Sequence, residues 1–302
     1  MKQLLRGALG MAAIILFGFQ PFTLYAGGGR DAETRSIAVD DAKLVYRIYG
    51  DKSGTPLVLL SALGSSMDDW DPAVINGLAK YSKVIVFDNK GVGGSSGATP
   101  TTISAMAHDA VAFIRNLGYS RVDLLGFSMG GFIAQEIAET EPSLVNKLIL
   151  VGSGPQGSEG LDQIGQKLTA AQRLSPEEQF LGGFFSPSEH SRALGKESLA
   201  RISAKKEGRD LPLSQASLGA EVAAVLGWAQ PNEPAFARAK AFTKPVLIVG
   251  GQYDIFIPVA SELRLYQTLP NARLVLLPDA GHASFFQYPG LFVQETANFL
   301  KN

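Results

Sequence analysis

Short aliphatic and β-branched runs alternate along this chain with stretches whose apolar positions recur at helical spacing. The runs fall at 44–49, 57–60, 83–87, 121–125, 147–151, 246–249 and 273–276. Most are too apolar to leave a face in water. Continuous apolar strands separated by helices are what a mostly parallel sheet covered on both faces requires, so the pattern predicts the α/β class. Between 155 and 240 the alternation stops, and helix signals remain without a strand. Ser175-Pro-Glu-Glu and Ser186-Pro-Ser-Glu each offer an N-cap serine, a proline at the first helical position and acids in the first turn. The chain therefore divides into a core built from 36–154 and 241–302 and a helical cap over 155–240. A long insertion at the carboxyl edge of a sheet is well placed to cover a site. Phe184, Phe185 and Trp228 are expected to line a substrate pocket beneath it. The alternative is that they, with Phe180, Leu181 and Leu226, only pack the cap onto the core.

The segment before the first run changes the picture of location. Lys2 and Arg6 precede an apolar stretch of about 13 residues, which Gln20 and Pro21 end before Leu-Tyr-Ala at 24–26. This reads as a signal peptide over 1–26, with an exported, periplasmic or secreted protein after cleavage. The stretch is shorter than the roughly 20 residues a membrane-spanning helix needs, which disfavours a retained anchor or a buried terminal helix without eliminating either.

Composition narrows the chemistry. Among 302 residues, 27 Lys and Arg nearly balance 28 Asp and Glu, so no overall field draws nucleic acid or an anionic membrane to the surface. Without cysteine, disulfides, thiolate metal sites and a cysteine nucleophile are excluded. Any imidazole chemistry must use His108, His190 or His282, and no metal is expected. The expected partner is a small-molecule substrate, with the oligomeric state left open and no membrane segment after signal removal.

Two Gly-x-Ser-x-Gly matches occur. Gly93-Gly-Ser95-Ser-Gly97 has no strand directly before it and no helix directly after it, which suggests a flexible or phosphate-friendly loop. Gly126-Phe-Ser128-Met-Gly130 directly follows the apolar run at 121–125 and opens a helical pattern of Ile133, Ala134, Ile137 and Ala138, the strand-to-helix context that presents a nucleophilic serine. A serine hydroxyl needs a base, and the base needs an orienting acid. His108 and His190 lie in helical patterns, whereas His282 follows the last strand in a loop at the sheet's carboxyl edge. Asp254 follows the strand at 246–249 in the same way. The order Ser128, Asp254, His282 is the order of a known hydrolase triad; Asp279 is the runner-up acid, better read as a local cap.

These residues, with Leu59-Leu-Ser-Ala-Leu-Gly64, Phe87-Asp-Asn-Lys-Gly-Val-Gly-Gly-Ser95 and Gly281-His282, resemble the α/β-hydrolase superfamily, in its group of cap-bearing bacterial serine hydrolases. The resemblance covers nearly everything after the signal. It implies an eight-stranded, mostly parallel sheet with helices on both faces, the triad Ser128, Asp254 and His282, and an oxyanion hole made by the backbone N–H groups of Leu63 and Met129. Ser61-Ala62 stands where the family usually has His-Gly, which focuses attention on the φ of Ala62, and Lys90 stands where an arginine is common. The implied activity is that of a carboxylesterase. Carbon–carbon bond hydrolysis, lactone opening, cofactor-free perhydrolysis and a slow-turnover ligand receptor share the same triad. No cofactor is implied, since Gly91-x-Gly93-x-x-Ser96 misses the dinucleotide pattern at its third glycine and leads to Thr-Pro.

Overall fold

A computed structural model describes residues 32–171 and 173–301. The expected signal, 1–26, lies outside them. Eight strands form one sheet: β1 (Arg35–Val39), β2 (Ala42–Tyr49), β3 (Leu57–Leu60), β4 (Val84–Phe87), β5 (Val122–Phe127), β6 (Val145–Val151), β7 (Val246–Gly251) and β8 (Ala272–Leu277). Their order is β1-β2-β4-β3-β5-β6-β7-β8, with the β1–β2 and β2–β4 pairs antiparallel and the rest parallel.

The pleat sorts the central strands' side chains to two faces. Val58, Leu60, Ile85, Leu124 and Leu148 pack on one side with α2 (Ile103–Asn116) and α3 (Met129–Thr140). Leu57, Leu59, Val84, Leu125 and Ile149 pack on the other with α1 (Pro72–Leu78) and, near the carboxyl terminus, α10 (Ser284–Gln287) and α11 (Pro289–Lys301). Burial on both faces explains why these strands carry no polar alternation. Order reverses around β3, whose neighbours β4 and β5 lie on opposite sides. That switch point is where an open α/β sheet leaves a crevice at its carboxyl edge.

Between β6 and β7 the described residues form helices and loops without a strand: α4 (Ile164–Ala171), α5 (Pro176–Phe184), α6 (Glu189–Ser203), α7 (Gln215–Trp228) and α8 (Glu233–Ala241), followed after β7 by α9 (Val259–Thr268). Ser175 caps α5 by accepting from Glu178 N–H, with Pro176 at its first position. The second signal is displaced by two residues: Ser188, not Ser186, caps α6. The Ser186 hydroxyl instead donates to Asp279, which frees Ser188 to take the cap.

Ionic contacts tie the cap to the core. Asp71, the buried N-cap of α1, receives Arg201 through both Nε and Nη2 and the Ser198 hydroxyl, all from α6. Asp68 receives Arg47 at 2.6 Å and Lys205 at 2.7 Å. The glycine-rich loop after β4 is also tied down, contrary to its flexible reading. Ser95 Oγ accepts from Val45 N–H and donates to Asp88 O, and Gly94 N–H donates to Asp88 Oδ2.

Within the sheet, Asp123 near the start of β5 is 4% exposed and accepts a hydrogen bond from Asn146; burial pushes its carboxyl up to about 6. An acid with a raised folded pKa is favoured in its protonated form, so its stabilisation is present below the unfolded value and lost as pH rises through about 6. Asp123→Asn keeps an oxygen for the Asn146 amide and cannot ionise. Between pH 4 and pH 7 its unfolding free energy in urea should fall by about 2 kcal/mol less than that of the wild type.

Candidate active site

Ser128 sits at the end of β5 as the N-cap of α3 with φ 53° and ψ −116°, a backbone conformation that side-chain-bearing residues rarely adopt and that costs about 1–3 kcal/mol. Its N–H donates to Val151 O, and its carbonyl accepts from Gly131 N–H and the Ser153 hydroxyl, which locks the turn. The flanking glycines are demanded by space. A Cβ at Gly130 would lie 2.0 Å from Leu60 O, and one at Gly126 would lie 2.3 Å from Gly130 O. The start of α3 is thereby pressed against the loop that leaves β3.

His282 and Asp254 come to the same rim from β8 and β7. His282 Nδ1 and Asp254 Oδ2 are 2.7 Å apart, with side chains 3% and 0% exposed. The second carboxylate oxygen of Asp254 accepts from the N–H groups of Phe256 and Ile257, so the acid is itself fixed. Three rings enclose the imidazole: Phe127 at 5.0 Å, Phe256 at 5.1 Å, and Phe184 stacked at 6.0 Å between centroids. Ala283 N–H donates to Phe184 O, so the end of cap helix α5 supports the loop that carries the histidine. Glu262, fully buried on α9, has its carboxyl held well above the usual range by burial and by the charge of Asp254.

A cavity of about 330 Å³ opens between core and cap, with Ser128, His282, Leu63 and Ala62 at its base. Its walls are Ile164 and Leu168 of α4, Gly183 and Phe184 of α5, and Ile255 and Phe256, with Lys167, Glu178 and Gln179 as polar members. Among the described residues the Ser128 hydroxyl has no hydrogen-bond partner, and it faces the same space as the imidazole. The N–H groups of Leu63 and Met129 are likewise unengaged. Met129 opens α3, so its N–H has no intrahelical acceptor and lies at the helix's positive end. Ala62 has no positive φ. The left-handed residue of that loop is Gly64, at φ 79°, so replacing the usual glycine at 62 leaves the turn intact.

Two pocket expectations need correction. Of the three aromatic residues, Phe184 reaches the cavity. Phe185 is buried against Phe180 and the close α5–α6 contact at Gly195, because the chain leaves α5 there and turns its side chain away. Trp228, in the last turn of α7, stacks on Phe132 of α3 at 5.4 Å and donates through Nε1 to Gly154 O. It is a joint between cap and core. The other candidates lie elsewhere: His108 and His190 are exposed, on α2 and α6, and Asp279, instead of capping its own turn, receives the hydroxyls of Ser186 and Ser188 from the distant start of α6. Lys90 pairs with Asp41 on the β1–β2 turn.

The sequence reading missed Glu221. It is buried on α7, accepts the Gly64 N–H through Oε2 at 2.7 Å, and is pushed up to about 8 by burial. The signal was present, since Glu221 is the lone charge in an otherwise uncharged helix.

A doubly covered sheet with a serine elbow, a buried histidine–aspartate pair and a cap-roofed cavity defines the class as a capped α/β enzyme of hydrolase architecture. The chain belongs to the alpha/beta hydrolase fold family, whose model matches residues 55–289. An alpha/beta hydrolase fold protein from Chitinophaga pinensis has a similar structure, with TM-score 0.86, 40% identity, and coverage of 89% of this chain and 98% of that one. RutD of Agrobacterium fabrum, which carries a provisional name as a carbamate hydrolase, is 27% identical over 84% of this chain and 97% of its own. The pimeloyl-[acyl-carrier protein] methyl ester esterase of Pectobacterium atrosepticum is 29% identical over 85% and 98%.

Proposed function

We propose that this protein is a serine hydrolase, and within that class a carboxylesterase acting on small to medium apolar esters through an acyl-enzyme. The observation that carries the reading is the meeting, at one cavity, of a strained serine, a histidine held by a buried aspartate, and two unengaged backbone N–H groups. Ser128 attacks the ester carbonyl while His282 takes its proton through Nε2, the ring nitrogen not bound to Asp254. Asp254 fixes the tautomer and stabilises the imidazolium that forms. The Leu63 and Met129 N–H groups receive the oxyanion, and His282 returns the proton to the leaving alcohol. Water then attacks the acyl-enzyme by the same route. The cavity volume falls near the small end of ligand sites, and its mostly apolar walls suit an aliphatic or aromatic acyl group.

The test is a fluorophosphonate probe combined with a panel of chromogenic esters, a lactone and an aryl carbamate. Ester turnover with label located on Ser128 supports the reading. A protein that neither takes the probe nor turns over any member of the panel overturns it, and preferential lactone or carbamate turnover would replace the carboxylesterase assignment within the class.

Phe184 sets the acyl length. Its ring also borders a small apolar recess formed by Trp70, Phe127, Phe180, Ile202 and Phe286, so it stands between that recess and the main cavity. Phe184→Ala joins the two spaces. The kcat/KM ratio of an octanoyl to a butanoyl ester should rise about tenfold, the worth of burying roughly two more methylenes.

A further inference from the structure

We propose that Glu221, carried by cap helix α7, is a positioning residue for the oxyanion hole: by accepting the Gly64 N–H it fixes the direction in which the Leu63 N–H points. This role rests on the serine-hydrolase reading above. Leu63 lies between two peptide planes. One carries its own unengaged N–H beside the cavity that Leu63 lines, and the next carries the N–H of Gly64, which Glu221 Oε2 holds at 2.7 Å. Gly64 has φ 79° and no side chain to restrict it, so a loop ending there needs an external anchor. Its own support is modest: Ser65 N–H to Ala62 O at 3.2 Å.

The anchor comes from the cap, not from the sheet. One turn before Glu221 on α7, the Ser217 hydroxyl donates to Gly91 O at 2.7 Å, and the otherwise unpartnered Asn89 amide faces the Glu221 carboxyl. One helix thus pins both the loop after β3, which lines the cavity, and the loop after β4. That helix packs against α4, whose Ile164, Leu168 and Ala171 touch the space where substrate sits. A buried carboxyl is costly unless its hydrogen bonds are met. Here one oxygen is committed to the Gly64 N–H, which a carboxylate or a neutral acid can both accept.

Three variants separate the hydrogen bond from the carboxyl group and from packing. Glu221→Gln keeps an oxygen that reaches Gly64 and replaces the carboxyl by an amide. Glu221→Asp keeps a carboxyl and withdraws it from Gly64. Glu221→Leu keeps bulk alone. With a chromogenic ester, E221Q should retain kcat within about threefold, whereas E221D and E221L should lose about tenfold or more, part of the 10²–10³ that a lost oxyanion donor costs. KM should stay within about twofold in all three, because no side chain lining the cavity is altered. If E221L fails to fold, the opposed behaviour of E221D and E221Q carries the test. Wild-type kcat in both E221D and E221L overturns the proposal, as does an active E221D beside an inactive E221Q, or a loss confined to KM or to thermal stability. Wild-type protein inert to both ester and fluorophosphonate would overturn the serine-hydrolase reading itself and this role with it.

Discussion

Ser128→Ala should lower ester turnover by on the order of 10⁶-fold, about the effect of removing the nucleophile where serine and histidine act as one unit. The fold should survive, because the hydroxyl makes no hydrogen bond among the described residues and the turn is held by backbone contacts to Val151, Gly131 and Phe132. Ser128→Gly is equally inactive but differs in stability. Glycine adopts φ 53° without the clash a Cβ brings, so the glycine variant should be more stable than wild type by about 1 kcal/mol in urea unfolding. The pair separates two properties of one position: strain resides in the backbone, and reactivity in the oxygen. Near-wild-type turnover in either variant would dismiss Ser128 as the nucleophile, and equal stability would dismiss the strain.

The second large effect concerns Gly130. A methyl group there would lie 2.0 Å from Leu60 O, 2.4 Å from Leu60 C and 2.8 Å from Ser61 O, all backbone atoms at the end of a central strand. They cannot rotate away as a side chain would, so α3 must lift from β3. Overpacking typically costs about 1–3 kcal/mol, and a backbone clash of this depth should exceed about 3 kcal/mol. Gly130→Ala should therefore lower the urea midpoint strongly. It should also reduce kcat in whatever protein remains folded, since the same shift separates the Met129 N–H from the Leu63 loop. A variant as stable and active as wild type would mean that the elbow tolerates displacement and that the helix start is not fixed by this contact.

The sheet was largely legible because its central strands are buried on both faces and read as unbroken apolar runs. β1 was missed for the opposite reason: it is an edge strand whose burial is confined to Val39, and Arg35-Ser-Ile-Ala-Val shows no apolar run. The elbow at Ser128 was found through its context of strand and helix, and the rival serine at 95 was set aside on the same ground. His282 and Asp254 were assigned by position after strands, and the structure places them side by side. The lining of the cavity was not legible. Phe184 and Phe185 are adjacent in sequence and equally apolar, yet one faces the cavity and the other the α5–α6 interface. Only the place where α5 ends decides between them. The contacts of Asp71 with Arg201 and of Asp68 with Lys205 bring together residues more than a hundred positions apart, which local patterns cannot pair. Glu221 left a trace, a single acid in an uncharged helix, without showing which amide it would meet.

The Phe184 carbonyl that receives Ala283 N–H belongs to the same residue whose ring forms part of the cavity wall. On the proposed mechanism, substrate choice and the posture of the general base are therefore inherited together. A chimera that grafts a relative's cap onto this core would import a new acyl preference and, in the same exchange, a new seat for the imidazole. Such grafts need the junction around 183–185 matched to the recipient's 280–283 loop before any change in selectivity can be separated from damage to proton transfer.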